Sequence, residues 1–580
     1  MHDRDQRSLQ AAIPCLILVL AALLLVPPAA AQERPGRMYT LIEQYDADRG
    51  SLGRTYVLEN EEWFTRMENF YQDWLQRLEE VDYAALNVAE GIDYTLLRRN
   101  VESDRAALRA EAEAWRRASF AVPFEPMIAR LERQRRVGED PDGQRMARRL
   151  DSLAAAVTEA RARVASMAPL SPERSEAAAD AVENLRETLA YSWEFYHGYD
   201  PDVTWWAEKP YRRADSLLGG YRAFLQGYRA DQSHRDDGSG IIGNPAGREA
   251  VMEMLAYEMI GYTPKELIDL ANREFAWCQR EMLKASRELG YGDDWRAALE
   301  HVKQSYVPAG KQPEMIYGLA TGAVDFLEEH DLLTIPDLAK ETWRMSMMSP
   351  ERQRYAPFFL GGEVIQISYP TNTMEHELKM MSMRGNNPHF SRATVHHELI
   401  AGHHLQGFMN DRHRPYREQA FSTPFWTEGW ALYWELRLWD MGFPRSPEDR
   451  IGMLFWRMHR SARIIFSLSY HLGEMSPQES IDFLVEKVGH ERANAEAEVR
   501  RSFTGGYGPL YQIAYLVGGL QFRALHHEFV VNGDMSEKEF HDFILRQNAL
   551  PVDMVRRAAG TQTGSRLLPS DWAFSVLPRT

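Results

Sequence analysis

The chain has 580 residues, 44% of them hydrophobic and 26% charged, a balance that excludes a disordered or fibrous protein. Its net charge of −17, with no basic stripe, excludes a phosphate-backbone binder, and no nucleic-acid partner is expected. The length accommodates either several domains or one large helical body.

The first element is not part of the fold. Arg4 and Arg7 precede an apolar run from Ile13 to Val26, then Pro27-Pro28 and the small residues Ala29-Ala30-Ala31. This order reads as a secretory signal peptide, residues 1–31, cleaved after Ala31. The run falls short of the roughly 18 apolar residues of a spanning helix. The mature protein is therefore expected in the periplasm or outside the cell, with no stable membrane anchor. Cys15 leaves with the signal segment, which leaves Cys278 alone and excludes an intrachain disulfide. Cys278 lies in a helical-looking stretch and reads as a buried, inert thiol.

Residues 35–235 read as one helix after another. Arg145 to Met167 is rich in Ala, Arg, Glu and Leu with apolar residues at helical spacing. Ser171-Pro172 starts a long helix through Leu185 and Leu189, with Ser as cap and Pro at the first position. Trp193, Tyr196, Trp205 and Trp206 read as core and groove filler. The turn-rich stretch from Asp236 to Gly247 marks a loop. It divides an N-terminal helical half, 32–240, from a C-terminal catalytic half, 241–580, or it is a surface loop within one continuous domain, 32–580. Helices resume at Arg248 to Met259 and at Thr263-Pro264-Lys265-Glu266. Gly361 to Tyr369 alternates in the manner of a strand and ends at Pro370. The expected class is mainly α with a small β element.

The segment from Thr394 to Gln406 carries the chemistry. His396, His397, Glu398, His403 and His404 place four imidazoles and a carboxylate within nine residues, a donor set that suits zinc. In HExxH hydrolases two histidines one helical turn apart hold the metal and the adjacent Glu acts on its water. Here the position four after His397 is Ala401. On a regular helix His403 points about 240° away from His397, and His404 sits about 10.5 Å along the axis. A two-residue expansion at Ala401-Gly402 repairs the spacing, because Gly402 permits unusual backbone angles. His397 and His403 are the expected ligands, with His404 as second choice. The pairs His376-Glu377, His490-Glu491 and His527-Glu528 have no further His close behind, so the cluster carries the signal and the dipeptide does not.

Catalytic zinc takes three protein ligands and keeps one open position. Glu428 and Glu435, seven apart and on one helical face, interrupt the aromatic stretch from Phe425 to Trp434. A carboxylate in such surroundings is costly unless paired or metal-bound. Glu428 is the expected third ligand and Glu435 a partner behind the ligands.

The run from His397 to Gln406 resembles the His-Glu-x-x-Pro-Gly-His-His signature of a large, mostly uncharacterised bacterial family grouped with gluzincin-type HExxH metallopeptidases. Glu428-Gly429-Trp430-Ala431-Leu432-Tyr433 is similar to its second signature. Arg463 and His471 fall where its Ala-Arg…Leu-His block stands, and Pro509 to Gly518, with Gln512, Ala514 and Tyr515, resembles its late Pro-Gly-Gln-Ala-Leu-x-Tyr segment. The resemblance covers roughly residues 35–560. Ala401 replaces the usual Pro, Ser467 stands where Asp is common, and extra residues including Gly505-Gly506 precede Pro509. The resemblance implies a large helical body with a central active-site channel, similar to the angiotensin-converting-enzyme and oligopeptidase folds, and hydrolysis of peptide bonds.

The expected function is that of a secreted zinc metallopeptidase acting on a peptide or a small amide. His397, His403 and Glu428 hold the zinc, and Glu398 is the general base. Tyr515 and His471 are the first candidates for stabilising the oxyanion, ahead of Tyr507 and Arg463. Arg523 reads as a surface salt bridge or a clamp for a substrate carboxylate, and the strand ending at Tyr369 as an edge for an extended peptide. Two rival readings are a zinc amidase or esterase on a non-peptide substrate and a non-catalytic periplasmic binding protein with a degenerate site. No Gly-x-Ser-x-Gly elbow and no paired Cys speaks for a serine or cysteine hydrolase.

Overall fold

Several of the long helices begin where the sequence offers a capping side chain followed by proline, as at Ser171-Pro172, Asp200-Pro201, Thr263-Pro264 and Ser446-Pro447. The computed structural model describes residues 36–228, 236–353, 358–560 and 572–574, and the signal segment lies outside the described residues. Three helices open the chain: α1 (Arg37–Thr55), α2 (Glu61–Glu79) and α3 (Val88–Ala118). They close around Tyr45, Trp74 and Leu97. Next come α4 (Gly143–Ala165), α5 (Pro172–Tyr196) and α6 (Pro201–Gly227), which bury a core of Leu153, Val157, Val182 and Leu218. The Ser171 hydroxyl accepts the Arg174 N–H at the start of α5, as the Ser-Pro start requires. In α7 (Pro264–Glu288) Thr263 and Glu266 form a reciprocal capping box.

One expectation on these helices fails. Trp193 and Tyr196 are buried, but Trp205 is 81% and Trp206 44% exposed. On the first turns of α6 the core-facing positions are Val203 and Ala207, one turn apart and fully buried. Residues 205 and 206 therefore point away from the core.

The class is mainly α. The sheet is a two-stranded parallel pair, β1 (Arg344–Met347) and β2 (Val364–Ile367), with Arg344 opposite Val364 and Met347 opposite Ile367. The strand is shorter than the alternation from Gly361 predicts, because Gly361-Gly362 turns the chain back so that Leu360 bridges Gln366 on the other side. At Gln366, β2 is thus flanked by β1 and by Leu360. Ile365 and Ile367 bury their side chains against Val395 and Leu399, which ties the sheet to the histidine-bearing segment.

That segment consists of α8 (Pro388–Glu398) and α9 (His403–Asn410). It packs on α10 (Pro424–Asp440) and α11 (Pro447–His471), and further along the chain follow α12 (Arg492–Thr504) and α13 (Tyr511–His526), whose Tyr515 meets His397. Both α10 and α11 are buried on nearly every face, as their apolar surroundings demand. Helices α10 and α13 meet backbone to backbone: a β-carbon on Gly429 would lie 2.6 Å from the Cα of Gly518. No larger residue fits that crossing. Arg457, Arg460 and Arg463 follow at three-residue intervals on α11, and each reaches an acid on a different helix: Glu274 on α7 at 2.6 Å, Glu435 on α10 at 3.4 Å and Glu498 on α12 at 2.6 Å. Buried charges are tolerated when paired in this way.

Candidate metal centre

The histidine segment breaks where a bulge was expected. Helix α8 ends at Glu398, residues 399–402 form a turn, and α9 starts at His403. The N–H of Gly402 donates to the carbonyl of His396 at 2.9 Å, and that of Leu405 to Leu399 at 3.3 Å, each six residues back. An α-helix reaches four back, so the chain has gained two residues at Ala401-Gly402, the length the sequence demands. A β-carbon on Gly402 would sit 1.7 Å from the carbonyl oxygen of His397, so only glycine allows this approach. The indole N–H of Trp430 donates to the carbonyl of Ala401 at 2.8 Å and holds the turn against α10.

The break turns His403 toward His397, their ring centroids 4.8 Å apart and nearly perpendicular. Glu428 of α10 completes the group. Its Oε2 lies 3.5 Å from His397 Nε2 and 3.3 Å from His403 Nε2. Ligand atoms of all three lie within 4.8 Å of one another. A tetrahedral zinc site with bonds of about 2.05 Å has ligand–ligand edges of about 3.3 Å, so two of these separations are already those of a metal shell. Oε2 of Glu428 is buried with no hydrogen-bond partner, an orphan that a bound cation would satisfy.

The electrostatics agree. Burial alone would raise the Glu428 carboxyl, but the two imidazoles hold it well below the usual carboxylate range. Burial alone would lower His397, but Glu428 and Glu435 outweigh it and raise it to about 9. The cluster favours a positive charge at its centre and can hold a metal ion.

Around the three candidate ligands stands a set of supporting groups. Glu435 places Oε1 2.7 Å from Nδ1 of His397, and Arg460 donates to the same oxygen at 3.4 Å. The hydroxyl of Tyr511 donates to Oε1 of Glu428 at 2.6 Å. Tyr511 was not among the sequence candidates. Its one signal is the four-residue spacing to Tyr515, which puts both rings on one face of α13. Glu398 follows His397 directly, and its carboxylate has no hydrogen-bond partner among the described residues. Burial pushes its carboxyl above the usual range, against the lowering effect of His397 and His403. The backbone of Gly361 presses on it: a β-carbon there would lie 2.0 Å from Oε2 of Glu398.

The remaining sequence candidates divide. His404 is not with the cluster, because its Nε2 contacts the Ala339 carbonyl at 2.7 Å. Tyr515 is, its ring stacked on His397 at 6.1 Å between centroids. Arg463 sits behind it, its guanidinium 4.6 Å from the Tyr515 ring, and Tyr507 packs at a tilt against Tyr511, their centroids 4.4 Å apart. His471 is elsewhere: eight residues beyond Arg463, about 12 Å further along α11, it accepts the Ala246 N–H at 3.2 Å on Nδ1. Arg523 pairs with Asp440 at 2.8 Å. His490 contacts His459, and His527 contacts Asn532. Cys278 is buried and its thiol is pushed up to about 12 by burial.

Comparison with known proteins adds the family and the fold. The family described as "Bacterial protein of unknown function (DUF885)" matches residues 54–558. A structure from Shewanella oneidensis, described provisionally as a lipoprotein of unknown function, superposes with a TM-score of 0.69 at 17% identity, covering 90% of this chain and 99% of that one. A second, from Colwellia psychrerythraea and also provisionally termed a lipoprotein, gives 0.56 at 14% identity over 90% and 97%. At these identities the likeness speaks for the fold alone. No curated protein matches the chain. Among the described residues no helix is long and apolar enough to cross a membrane.

Proposed function

This chain belongs to the bacterial family of unknown function DUF885, and from that premise we propose that it is a zinc-dependent hydrolase of gluzincin type that cleaves peptide bonds in the periplasm or outside the cell. The observation that carries the reading is the convergence of His397, His403 and Glu428 on one point, with the unpaired carboxylate of Glu398 beside them. A bound zinc supplies Lewis acidity, polarising a carbonyl and lowering the pKa of water toward neutrality.

The chain's own residues do the rest. Glu398 accepts the proton of the attacking water on its carboxylate and delivers it to the departing amine nitrogen. Its pKa, raised by burial, makes it a better proton acceptor than an exposed carboxylate. Glu435 and Arg460 fix the ring of His397, and Tyr511 fixes the carboxylate of Glu428. With the Tyr511 hydroxyl so engaged, Tyr515 is the donor left for the developing oxyanion. Burial raises its phenol to about 12, so it stays protonated and able to donate.

The test measures bound zinc by mass spectrometry and hydrolysis of a mixed peptide library, for wild type and Glu398→Gln. The variant should keep its metal and lose at least about a hundredfold in rate. Full activity in the variant, or wild type that takes up no zinc, overturns the reading.

A further inference from the structure

Helix α11 brings three arginines into the protein interior, and each has its acid. A fourth arginine has none. Arg501 lies on α12, one turn after Glu498, but Glu498 is taken in bidentate fashion by Arg463 at 2.6 and 3.0 Å. No carboxylate pairs with Arg501 among the described residues, and its Nε is buried without a partner. Two neighbours carry matching vacancies: Nη1 of Arg463 and Nε of Arg460 are also buried donors with no acceptor. All three guanidinium groups gather on the ring system beside the metal ligands. Arg460 and Arg463 lie 4.5 and 4.6 Å from the Tyr515 ring, and Arg501 lies 4.8 Å from the Tyr507 ring, which packs at a tilt against Tyr511. Arg460 and Arg463 are paired with Glu435 and Glu498, and Arg501 has only the longer-range pull of Glu498, three residues before it.

Buried N–H donors normally have partners, and a buried cation without an anion is costly. A carboxylate suits these donors, because it is anionic and accepts several N–H bonds from a guanidinium fork. Tyr507 is 40% exposed, so this edge of the ring system meets solvent. Arg460 and Arg463 are one aromatic ring, Tyr515, from His397, and Arg501 is two rings, Tyr507 and Tyr511, from Glu428. One or two extended residues carry a chain end about 3.4 to 7 Å past the metal ligands, toward these rings.

We propose that Arg501, with Arg460 and Arg463 behind it, binds the free C-terminal carboxylate of the substrate one or two residues past the scissile bond, so that the enzyme is a carboxy-terminal exopeptidase. This inference rests on the peptidase reading above. Arg501 is a specificity-determining residue: it holds the chain end and sets which bond lies over Glu398. Internal cleavage of a long chain is disfavoured, because its main chain then brings no free carboxylate to the arginines while a bond lies at the metal.

Binding tests this apart from turnover. The zinc-loaded Glu398→Gln protein is titrated with an N-terminally fluorescein-labelled tetrapeptide, as free acid and as C-terminal amide, and anisotropy is read. The acid should bind about tenfold or more tightly than the amide, the scale of a hydrogen-bonded charge pair. Adding Arg501→Gln should erase that ratio while leaving amide binding, zinc content and circular dichroism unchanged, and Arg501→Lys should restore part of it. A ratio near one in the parent protein, a ratio that survives Arg501→Gln, or no binding of either form overturns the inference. The peptidase reading fails separately, when wild type hydrolyses none of the peptides. Wild type that cleaves acid and amide alike keeps the peptidase and removes the exopeptidase.

Discussion

Glu435 holds Oε1 2.7 Å from Nδ1 of His397, on the side of the ring away from the nitrogen that faces Glu428. A carboxylate in this position fixes the tautomer and orientation of a ligand histidine and raises its basicity. Glu435→Gln keeps the shape and removes the charge, and it also leaves Arg460 without its acid. Zinc affinity should fall about 10- to 100-fold, read by competition with a chromophoric chelator. An unchanged dissociation constant would show that Glu435 serves packing alone.

Gly402 makes the closest backbone approach in the ligand turn, 1.7 Å from a notional β-carbon to the His397 carbonyl. Gly402→Ala forces the turn open and swings His403 away from His397, while the helices outside the turn keep their own cores. Stoichiometric zinc binding should be lost with far-ultraviolet circular dichroism preserved. Retention of one zinc per chain would mean that His403 is not positioned by this glycine.

Much of this was legible from local chemistry. The Ser171-Pro172 and Thr263-Pro264 starts depend only on neighbours in the chain, and they appear where the sequence places them. So does the two-residue excess at Ala401-Gly402, because helical geometry alone requires it. What could not be read depends on distant partners. The carbonyl that occupies His404 belongs to Ala339, 65 residues away, and the hydroxyl that fixes Glu428 belongs to Tyr511, 83 residues away. Trp205 and Trp206 have the composition of core residues but lie on the outer face of α6, and His471 sits on the right helix yet too far along it for the metal cluster. Facing and reach along a buried helix come from tertiary packing, which a single sequence does not display.

Tyr511 and Tyr515 sit four residues apart on α13 but are expected to do different work. Tyr511→Phe removes the 2.6 Å hydrogen bond to Glu428 and should weaken zinc about tenfold. Tyr515→Phe touches no ligand oxygen. It should leave zinc bound and KM little changed, while kcat falls about 10²- to 10³-fold, the cost of losing one oxyanion donor. The two variants separate by metal titration alongside steady-state kinetics. Equal loss of zinc in both would assign Tyr515 to ligand support instead.

Acid should unfold this protein through its buried histidines before its carboxylates. His541 has both nitrogens committed: Nδ1 donates to the Leu332 carbonyl at 2.7 Å, and Nε2 accepts the Tyr433 hydroxyl at 2.8 Å. A second proton would expel Tyr433, and burial pushes His541 down to about 3. Burial likewise lowers His490 to about 3 and His471 to about 4. An unfolded histidine titrates near 6.5, so below that pH the unfolded chain binds protons that the folded chain refuses. The stability these groups contribute is present above about pH 6.5 and is lost as pH falls toward their folded values, by about 1.4 kcal/mol per pH unit for each histidine. Glu258 works in the opposite sense, since burial raises it to about 7, and its contribution is lost as pH rises through that value. Three histidines against one glutamate leave a net fall in stability from pH 6.5 to 4.5. In His541→Gln the amide can donate to Leu332 and accept from Tyr433 with no proton to gain. Urea unfolding at pH 7, 6 and 5 should show the variant's slope of stability against pH shallower by about 1 kcal/mol per unit than that of wild type, because the unfolded histidine is only partly protonated at the upper end of this range. Parallel slopes would mean that His541 does not refuse its proton in the folded state.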